Sequence, residues 1–338
     1  MSEPFELTAD NCAQYLAGRG VAGRNQLRVD ELGGGVSNNV FLVQATGRRF
    51  VLKQSLGRLR VHDDWRADRA RIVRERQALE DAAGLLPAGA VPRVLWADDD
   101  NYLFAMEAAP AGAESWKARL LAGRLEPAVA ARAGALLGLL IRNTWENSEF
   151  AARYGDQVPF DQLRIDPYYR TTARRRPEVA APVEELIAAS AARRVSLVHG
   201  DWSPKNFLLD DGRVMVIDFE VVHYGDPSFD AAFCINHFLL KCFRCPGDAE
   251  ALLDLARVFY TWVEAVLPPA ALGWFEAAAA RHLGCLMLAR IDGKSPVEYL
   301  AGERLQDAVR RTATGIICER PATLEACYAS VAEAVARL

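Results

Sequence analysis

Several features that would assign the chain to a specialised class of protein are missing from its sequence. No run of about 18 uninterrupted apolar residues occurs, so we expect neither a transmembrane helix nor a membrane partner. The opening residues MSEPFELTADN lack the basic and apolar segments of a secretory signal. The formal net charge is −4, whereas proteins that bind duplex nucleic acid normally carry a strong basic excess, so we also expect no nucleic-acid partner.

Cysteine is present, but without a recognisable disulfide framework. The seven cysteines are an odd number with irregular spacing, which favours a reducing compartment and predicts a cytoplasmic location. Cys242 and Cys245 form one C-x-x-C pair near Cys234 and His237. A zinc site usually needs a second pair of ligands. Because the stretch FCINHFLLKCF is apolar and helical in pattern, buried thiols are the favoured interpretation.

The rest of the composition is that of a globular chain long enough for two lobes. Of the 338 residues, 51% are hydrophobic and 25% are charged, which allows a substantial core. Up to Glu107, strand-like segments (LRVDEL, VFLVQA, FVLKQ and two within 91–110) accompany one predicted helix at 66–83. From Ala108 onward helical patterns dominate, at 127–145, 180–193, 228–243, 248–266, 269–290 and 322–337. We therefore predict an α+β fold with a small antiparallel sheet lobe at 1–107 and a larger, mostly helical lobe at 108–338.

Residues 196–220 form an exception within the helical lobe. Two strand-like segments, SLV and VMVI, are predicted to pair as a hairpin, with Asp201 after the first, Asp218 at the end of the second and Asn206 between them. Taken singly, an Asp at a strand end is usually part of a turn. Phosphoryl transfer, however, needs a carboxylate at the acceptor hydroxyl and oxygen ligands for Mg²⁺. We therefore predict Asp201 as the catalytic base, with Asn206 and Asp218 as magnesium ligands.

The predicted sheet lobe offers a lysine for the nucleotide phosphates. Lys53 lies in the strand FVLKQ, the setting expected of a lysine that reaches the α- and β-phosphates. Glu75 falls on the apolar face of the predicted helix. A carboxylate on the buried side of a helix needs a partner, and Lys53 is the expected one. In a rival arrangement Glu75 pairs at the surface with Arg71, four residues earlier.

The spacing of these residues, taken together, indicates a function more specifically than any one of them does. His199 and Asp201 form H-x-D, Asn206 follows five residues after the Asp, and Asp218 ends the later strand in I-D. This pattern resembles the catalytic and metal-binding segments of the protein-kinase-like superfamily. The segments HGD and VIDFE, with HYGDPSFDAAF after them, are most similar to the aminoglycoside phosphotransferase and choline kinase family of small-molecule kinases. The resemblance implies a bilobal protein-kinase-like fold, ATP and Mg²⁺ as cofactors, and a catalytic loop oriented by His199 and braced by Asp230.

The resemblance also implies a set of contacts to the nucleotide. The segment GGGVSNN resembles the family's nucleotide loop, which places four residues near the phosphates: Gly34, Gly35, Ser37 and Asn38. The segment FAMEAAP corresponds to the hinge, where backbone groups at Glu107 and Ala109 are expected to pair with adenine.

The residues that bind the acceptor molecule are predicted only as a set of candidates. Lys205 is expected either to neutralise charge on the transferred group or to face solvent as a loop lysine. The segment RIDPYYRT at 164–171 is a candidate lining of the acceptor pocket. Further candidates, each equally readable as a structural residue, are Trp202, Glu220, Tyr224, Arg290 and Asp292.

Together these residues predict an ATP-dependent phosphotransferase that moves the γ-phosphate to a hydroxyl of a small molecule, namely an aminoglycoside, an amino alcohol or a sugar-like acceptor. A protein kinase is less favoured, because Asp218 is followed by Phe-Glu rather than Phe-Gly and no A-P-E motif follows. A catalytically inactive ATP-binding scaffold and a metal-dependent hydrolase built on His199, Asp201 and Asp218 are further alternatives. The sequence leaves the acceptor, the choice between ATP and GTP, and the oligomeric state open.

Overall fold

The computed structural model describes residues 5–33, 37–45, 47–60 and 65–338. The chain divides into two compact units, Met1–Ala113 and Glu114–Leu338. The division falls a few residues after the boundary predicted at Glu107.

The N-terminal unit is built on a five-stranded antiparallel sheet in the spatial order β1–β2–β3–β5–β4. Its strands are β1 Arg28–Glu31, β2 Asn38–Ala45, β3 Arg48–Ser55, β4 Val94–Asp98 and β5 Leu103–Glu107. All five were predicted from the sequence. The central strand β3 is hydrogen-bonded on both sides, with Lys53 opposite Val40 of β2 and Phe104 of β5.

Two helices accompany this sheet. Helix α1, Ala9–Gly18, was not predicted; it begins at a reciprocal capping box between Thr8 and Asn11 and buries Cys12 and Leu16 against the sheet. Helix α2, Arg71–Leu85, packs its buried face on the other elements of the unit. The sequence pattern placed the start of α2 at Arg66, which is wrong. Arg66 instead forms an antiparallel bridge with Arg58, and the helix begins only after the turn at 69–70.

The C-terminal unit is mostly helical. Its helices are α3 Trp116–Leu121, α4 Pro127–Thr144, α5 Ser148–Tyr154, α6 Val158–Phe160, α7 Thr171–Arg175, α8 Ala180–Ala192, α9 Ser228–Arg244, α10 Ala249–Glu264, α11 Pro269–Leu272, α12 Phe275–Asp292, α13 Glu303–Glu319 and α14 Leu324–Val335. Helix α13 was not predicted, and the single helix predicted at 269–290 is divided into α11 and α12 around Gly273. Within the described residues, none of the helices combines the length and the apolar character needed to cross a membrane.

Helix α9 lies at the centre of this unit. All of its residues from Ser228 to Phe243 are buried, and it packs against α10 and α12. Helix α4 approaches α10 closely, since a Cβ added at Gly134 would lie 2.2 Å from the Phe259 carbonyl oxygen. A helix buried on every side gives its polar residues fixed neighbours, which matters for Asp230 and Lys241 below.

Between α6 and α7 the chain forms a wide π-helical segment, Asp161–Arg170, with Pro167 inside it. A π-helix is rare and is found most often at functional sites. It buries Arg164 and Tyr168, both of which contact the polar core of the unit.

The strand pairing around residues 196–220 differs from the predicted hairpin. Strand β7, Ser196–Val198, pairs with β10, His223–Gly225, and not with the strand before Asp218. The hairpin is formed by β8, Phe207–Asp210, and β9, Arg213–Val216. Strand β8 also pairs with the short strand β6, Glu114–Ser115. The β8–β9 turn is Asp211–Gly212, with φ of 40° and 77°. This is the Asp-Gly turn typical of tight hairpins.

Candidate active site

The N-terminal unit contains a buried ion pair between Lys53 and Glu75. Lys53 Nζ lies 2.6 Å from Glu75 Oε1, and the two residues are 4% and 0% exposed. Strand β3 supplies the lysine and the buried face of α2 supplies the carboxylate. Arg71, the rival partner, donates hydrogen bonds to the carbonyl oxygens of Leu56 and Ser37. A buried pair of this kind fixes the direction of the lysine chain.

The other predicted nucleotide contacts of this unit lie at strand ends. Ser37 and Asn38 are buried at the start of β2, where Asn38 Nδ2 donates to Ser37 Oγ at 3.0 Å. Gly34 and Gly35 lie outside the described residues. Glu107 ends β5 and its carboxylate pairs with Arg93, while the Ala109 carbonyl oxygen accepts a hydrogen bond from Arg49.

The C-terminal unit holds Asp201 in a buried loop between β7 and β8. Asp201 is 1% exposed, and its Oδ2 lies 3.0 Å from Arg164 Nη2 and 2.9 Å from Lys205 Nζ. Burial by itself raises the pKa of the Asp201 carboxyl. The positive charges of Lys205 and Arg164 outweigh burial and hold that pKa below its usual range. Asp201 is therefore a desolvated but ionised carboxylate.

Asp230, on the first turn of α9, holds the start of this loop. Its two carboxylate oxygens accept the backbone N–H groups of His199 and Gly200, at 2.6 and 2.8 Å. Burial raises the pKa of Asp230 to about 7, although the two backbone hydrogen bonds oppose that shift. Gly200 has φ of 78°, and a Cβ there would lie 2.8 Å from the Val221 carbonyl oxygen. The loop therefore needs glycine at this position.

His199 ties the loop to the segment before Asp218. Its Nδ1 accepts the Asp201 backbone N–H at 3.1 Å, so its Nε2 carries the proton donated to the Ile217 carbonyl oxygen at 3.2 Å. Burial lowers the pKa of His199 to about 4, so the ring is neutral at ordinary pH. A neutral, doubly bonded imidazole suits a positioning role.

Asn206 and Asp218 are brought together by backbone hydrogen bonds. Asn206 Nδ2 donates to the Asp201 carbonyl oxygen at 2.9 Å, and the Ile217 N–H donates to the Asn206 carbonyl oxygen at 3.0 Å. Because Nδ2 makes this bond, Asn206 Oδ1 is the atom suited to a cation. Asp218, next to Ile217, has φ of 72°, a conformation rarely adopted outside glycine, Asn and Asp. The amide and carboxylate oxygens are the donor types that Mg²⁺ prefers.

Arg164 is the site residue that the sequence pattern did not identify as a partner of Asp201. It had been placed only within a candidate acceptor segment. Its Nε donates to the Gly200 carbonyl oxygen at 2.6 Å, while its Nη2 reaches Asp201. The contact between Arg164 and Asp201 depends on the π-helical turn. The position of a single Arg in DQLRIDPYY therefore could not predict this contact.

Three of the predicted acceptor residues lie inside the C-terminal unit. Trp202 is fully buried and packs edge-on against His199 and Phe207. Tyr224 is buried in β10 and donates its hydroxyl to the Val195 carbonyl oxygen at 2.9 Å. Glu220 is 5% exposed. The contacts of Trp202 and Tyr224 are those of packing residues.

The other two predicted acceptor residues, Arg290 and Asp292, are close in sequence but make different kinds of contact. Asp292, at the end of α12, is engaged by Arg176 at 2.7 Å and Arg310 at 3.1 Å, which ties three elements together. Arg290 Nη1 donates to the Tyr168 hydroxyl at 2.9 Å and to Ser295 Oγ at 2.8 Å. Asp292 is thus a structural anchor, whereas Arg290 bonds only neutral oxygens among the described residues.

Comparison with curated proteins gives a family and a distant relative. A profile of the phosphotransferase enzyme family (APH) matches residues 28–241. Methylthioribose kinase 1 of rice, Oryza sativa subsp. japonica, is 26% identical over 276 residues, which are 73% of this chain and 64% of that protein. The chain therefore spans slightly less than two thirds of the length of this relative.

Solved structures share the fold. Ethanolamine kinase of Plasmodium vivax superposes with a TM-score of 0.61 at 13% identity, covering 95% of this chain and 93% of that one. Amicoumacin kinase, solved with AMP-PNP and Ca²⁺, gives a TM-score of 0.56 at 15% identity, covering 92% and 95%. The predicted kinase-like fold is confirmed. Because the family profile covers more than half of the chain, the protein belongs to the phosphotransferase enzyme family.

Proposed function

We propose that the protein is an ATP-dependent small-molecule kinase that transfers the γ-phosphoryl group to a hydroxyl. The observation that carries this proposal is Asp201, a buried carboxylate kept ionised by two cations on a loop whose backbone is held by Asp230. A buried ionised carboxylate is costly to maintain and typical of a functional site. Family membership supports the same reaction class.

Asp201 would accept or orient the proton of the acceptor hydroxyl. General-base assistance of this kind is typically worth about 10²–10⁴-fold in rate. Lys205, half-exposed and 2.9 Å from Asp201, would stabilise negative charge on the transferred phosphoryl group. Arg164 also contacts Oδ2 of Asp201 and would keep this oxygen in place.

Lys53 would bind phosphate oxygens of the nucleotide, with Glu75 setting its direction. Backbone groups at Glu107 and Ala109 and the segment containing Ser37 and Asn38 are proposed to complete the nucleotide site. AMP-PNP in the related amicoumacin kinase structure supports nucleotide binding by this fold.

Asn206 Oδ1 and the Asp218 carboxylate fit a Mg²⁺ ion. The ion would supply charge neutralisation for the phosphates during transfer. The hydrogen bonds of the Ile217 backbone with His199 and Asn206 would keep these two proposed ligands close to Asp201. We propose the cytoplasm, where ATP and Mg²⁺ are abundant, as the place of action.

The direct test is a screen of purified protein for ADP release from ATP with Mg²⁺ present. Candidate acceptors are aminoglycosides, amino alcohols and sugars, because relatives named for methylthioribose and ethanolamine share the fold or family. The proposal predicts ADP release that requires both Mg²⁺ and one acceptor. Nucleotide binding with no ADP release would indicate a scaffold, and phosphate release without an acceptor would indicate a hydrolase; either result contradicts the proposal.

A further inference from the structure

The C-terminal unit contains a group of cations with too few counter-charges. We call Lys117, Lys241 and Arg290 the basic cluster. They come from three different helices, α3, α9 and α12. Lys241 is 2% exposed, which is unusual for a lysine.

The partners of this cluster are mainly neutral. Lys241 Nζ donates to the His237 carbonyl oxygen at 3.1 Å and lies 4.9 Å from the centre of the Tyr299 ring. Arg290 donates to two hydroxyls, as described above. Glu298 forms an ion pair with Lys117, and its negative charge also acts on Lys241.

Two hydrogen-bonding atoms of this region also lack partners among the described residues. Arg290 Nε and the Tyr299 hydroxyl are both shielded from water and make no hydrogen bond. Leaving a buried donor unpaired costs about 1–3 kcal/mol, and more when it is charged. Burial and then the charge of Lys117 lower the pKa of Lys241 to about 7. An anion bound here would accept hydrogen bonds from the unpaired donors and would offset the buried positive charge of Lys241.

The basic cluster lies beside the proposed catalytic base. The Tyr168 ring lies between two guanidinium groups, 5.7 Å from Arg290 Cζ and 5.5 Å from Arg164 Cζ. Arg164 in turn contacts Asp201. Lys241 also donates to the His237 backbone, and burial followed by the positive charges of Arg290 and Lys241 lowers the pKa of His237 well below its usual range.

We propose that the acceptor carries an anionic oxygen group, a carboxylate or a phosphate, that binds Arg290 and Lys241 while its hydroxyl lies at Asp201. This inference rests on the proposed kinase function and narrows its acceptor class. A cationic aminoglycoside or amino alcohol would instead bring its own positive charge against the three cations of the basic cluster, where Glu298 is already paired with Lys117. Like charges at such distances in a partly desolvated site repel strongly.

The test measures binding without turnover, by titration calorimetry on the wild-type protein without nucleotide. Four probes share the glucopyranose ring and differ in charge: glucuronate, glucose 6-phosphate, glucose and glucosamine. The proposal predicts that glucuronate or glucose 6-phosphate binds most tightly, and the stronger of the two identifies the anionic group. Tightest binding of glucose or glucosamine, equal binding of all four, or no binding of any would overturn it.

Arg290→Gln is the test variant and Arg281→Gln, on the same helix but outside the cluster, is its matched control. Arg290→Gln is expected to weaken binding of the anionic probe about tenfold or more, which corresponds to about 1.4 kcal/mol. Arg281→Gln is expected to leave it unchanged. Thermal unfolding of both variants verifies that they fold. Unchanged anion binding in a folded Arg290→Gln protein would overturn the proposal, whereas absence of ADP release in the acceptor screen would refute only the proposed kinase function.

Discussion

At the scale of single residues, Asp201 depends on Arg164. The two form a buried charge pair that Arg164 also connects to the Gly200 carbonyl oxygen. Removing one partner of a buried pair typically costs about 3–5 kcal/mol when the other charge is left uncompensated, and Lys205 at 2.9 Å from Asp201 reduces that cost. We expect Arg164→Met to lower the free energy of urea unfolding by up to that amount and to reduce kcat, with nucleotide Kd unchanged.

Arg170→Met is the matched control for Arg164→Met. Arg170 lies on the same π-helical segment, but its ion pair with Asp161 is exposed. Exposed pairs are worth about 0–1 kcal/mol, so this variant should remain close to wild type. Equal stabilities of the two variants would mean that the Arg164–Asp201 pair does not hold the loop.

Lys241 gives a prediction for stability against pH. Its folded pKa is about 7, whereas an unfolded lysine titrates near 10.4. Between these pH values the unfolded chain binds more protons, so the group makes stability rise with pH and its full cost is present below about pH 7. The neighbouring charges of Lys117 and Arg290 add to this cost, while Cys234 and Glu298 oppose it.

Lys241→Met removes this titration and keeps a chain of similar length. We expect the variant to be more stable than wild type at pH 6, with the difference shrinking toward pH 10. Urea unfolding at several pH values measures both curves. A difference that stays constant with pH would show that Lys241 is not the group responsible.

The sequence pattern predicted the proposed site residues that lie at fixed spacing from one another. Asp201, Asn206 and Asp218 lie within one short segment, and the structure brings them together through backbone bonds at Ile217. Lys53 and Glu75 could be paired from strand and helix patterns. Arg164 and Arg290 could not be placed, because their positions depend on a π-helical turn and on the packing of α12, which leave no periodic signal.

At the scale of elements, the loop before β8 depends on a glycine with positive φ. In Gly200→Ala the left-handed conformation costs about 1–2 kcal/mol, and its Cβ also meets the Val221 backbone. Gly212→Ala is a matched control, since φ there is 77° but the nearest atom to a Cβ is Arg132 Nη1 at 3.7 Å. We expect Gly200→Ala to lose clearly more stability than Gly212→Ala and to lose activity as well.

Chemical denaturation and steady-state kinetics are measured for both glycine variants. Both carry the backbone strain of a positive φ, but only Gly200→Ala adds the steric clash with Val221. If both lose the same stability and both remain active, the close approach of Val221 does not constrain the loop.

Element boundaries were predictable where local chemistry decides them. Pro127 begins α4 as expected, and Asp211–Gly212 makes the tight turn of the hairpin. The pairing of β7 with β10 was missed because β10 has only three residues and pairs across a long loop. The start of α2 was misplaced because residues 66–70 suit a helix by composition, whereas Arg66 bridges to Arg58 and a turn at Asp68 leads into the helix.

At the scale of the whole molecule, each unit contributes one part of the proposed chemistry. The N-terminal unit holds the Lys53–Glu75 pair, and the C-terminal unit holds Asp201 with Asn206 and Asp218. This division predicts that a change at Asp201 affects turnover and leaves nucleotide affinity intact, because the proposed phosphate contacts of Lys53 lie in the other unit.

The measurement that tests the central claim most directly is kcat for acceptor-dependent ADP release by Asp201→Asn, with Asp210→Asn in the β8–β9 hairpin as control. Nucleotide Kd is measured on the same proteins by calorimetry. We predict that Asp201→Asn loses about 10²–10⁴-fold in kcat while its nucleotide Kd and the activity of Asp210→Asn stay close to wild type. Normal turnover by Asp201→Asn would contradict its assignment as the catalytic base.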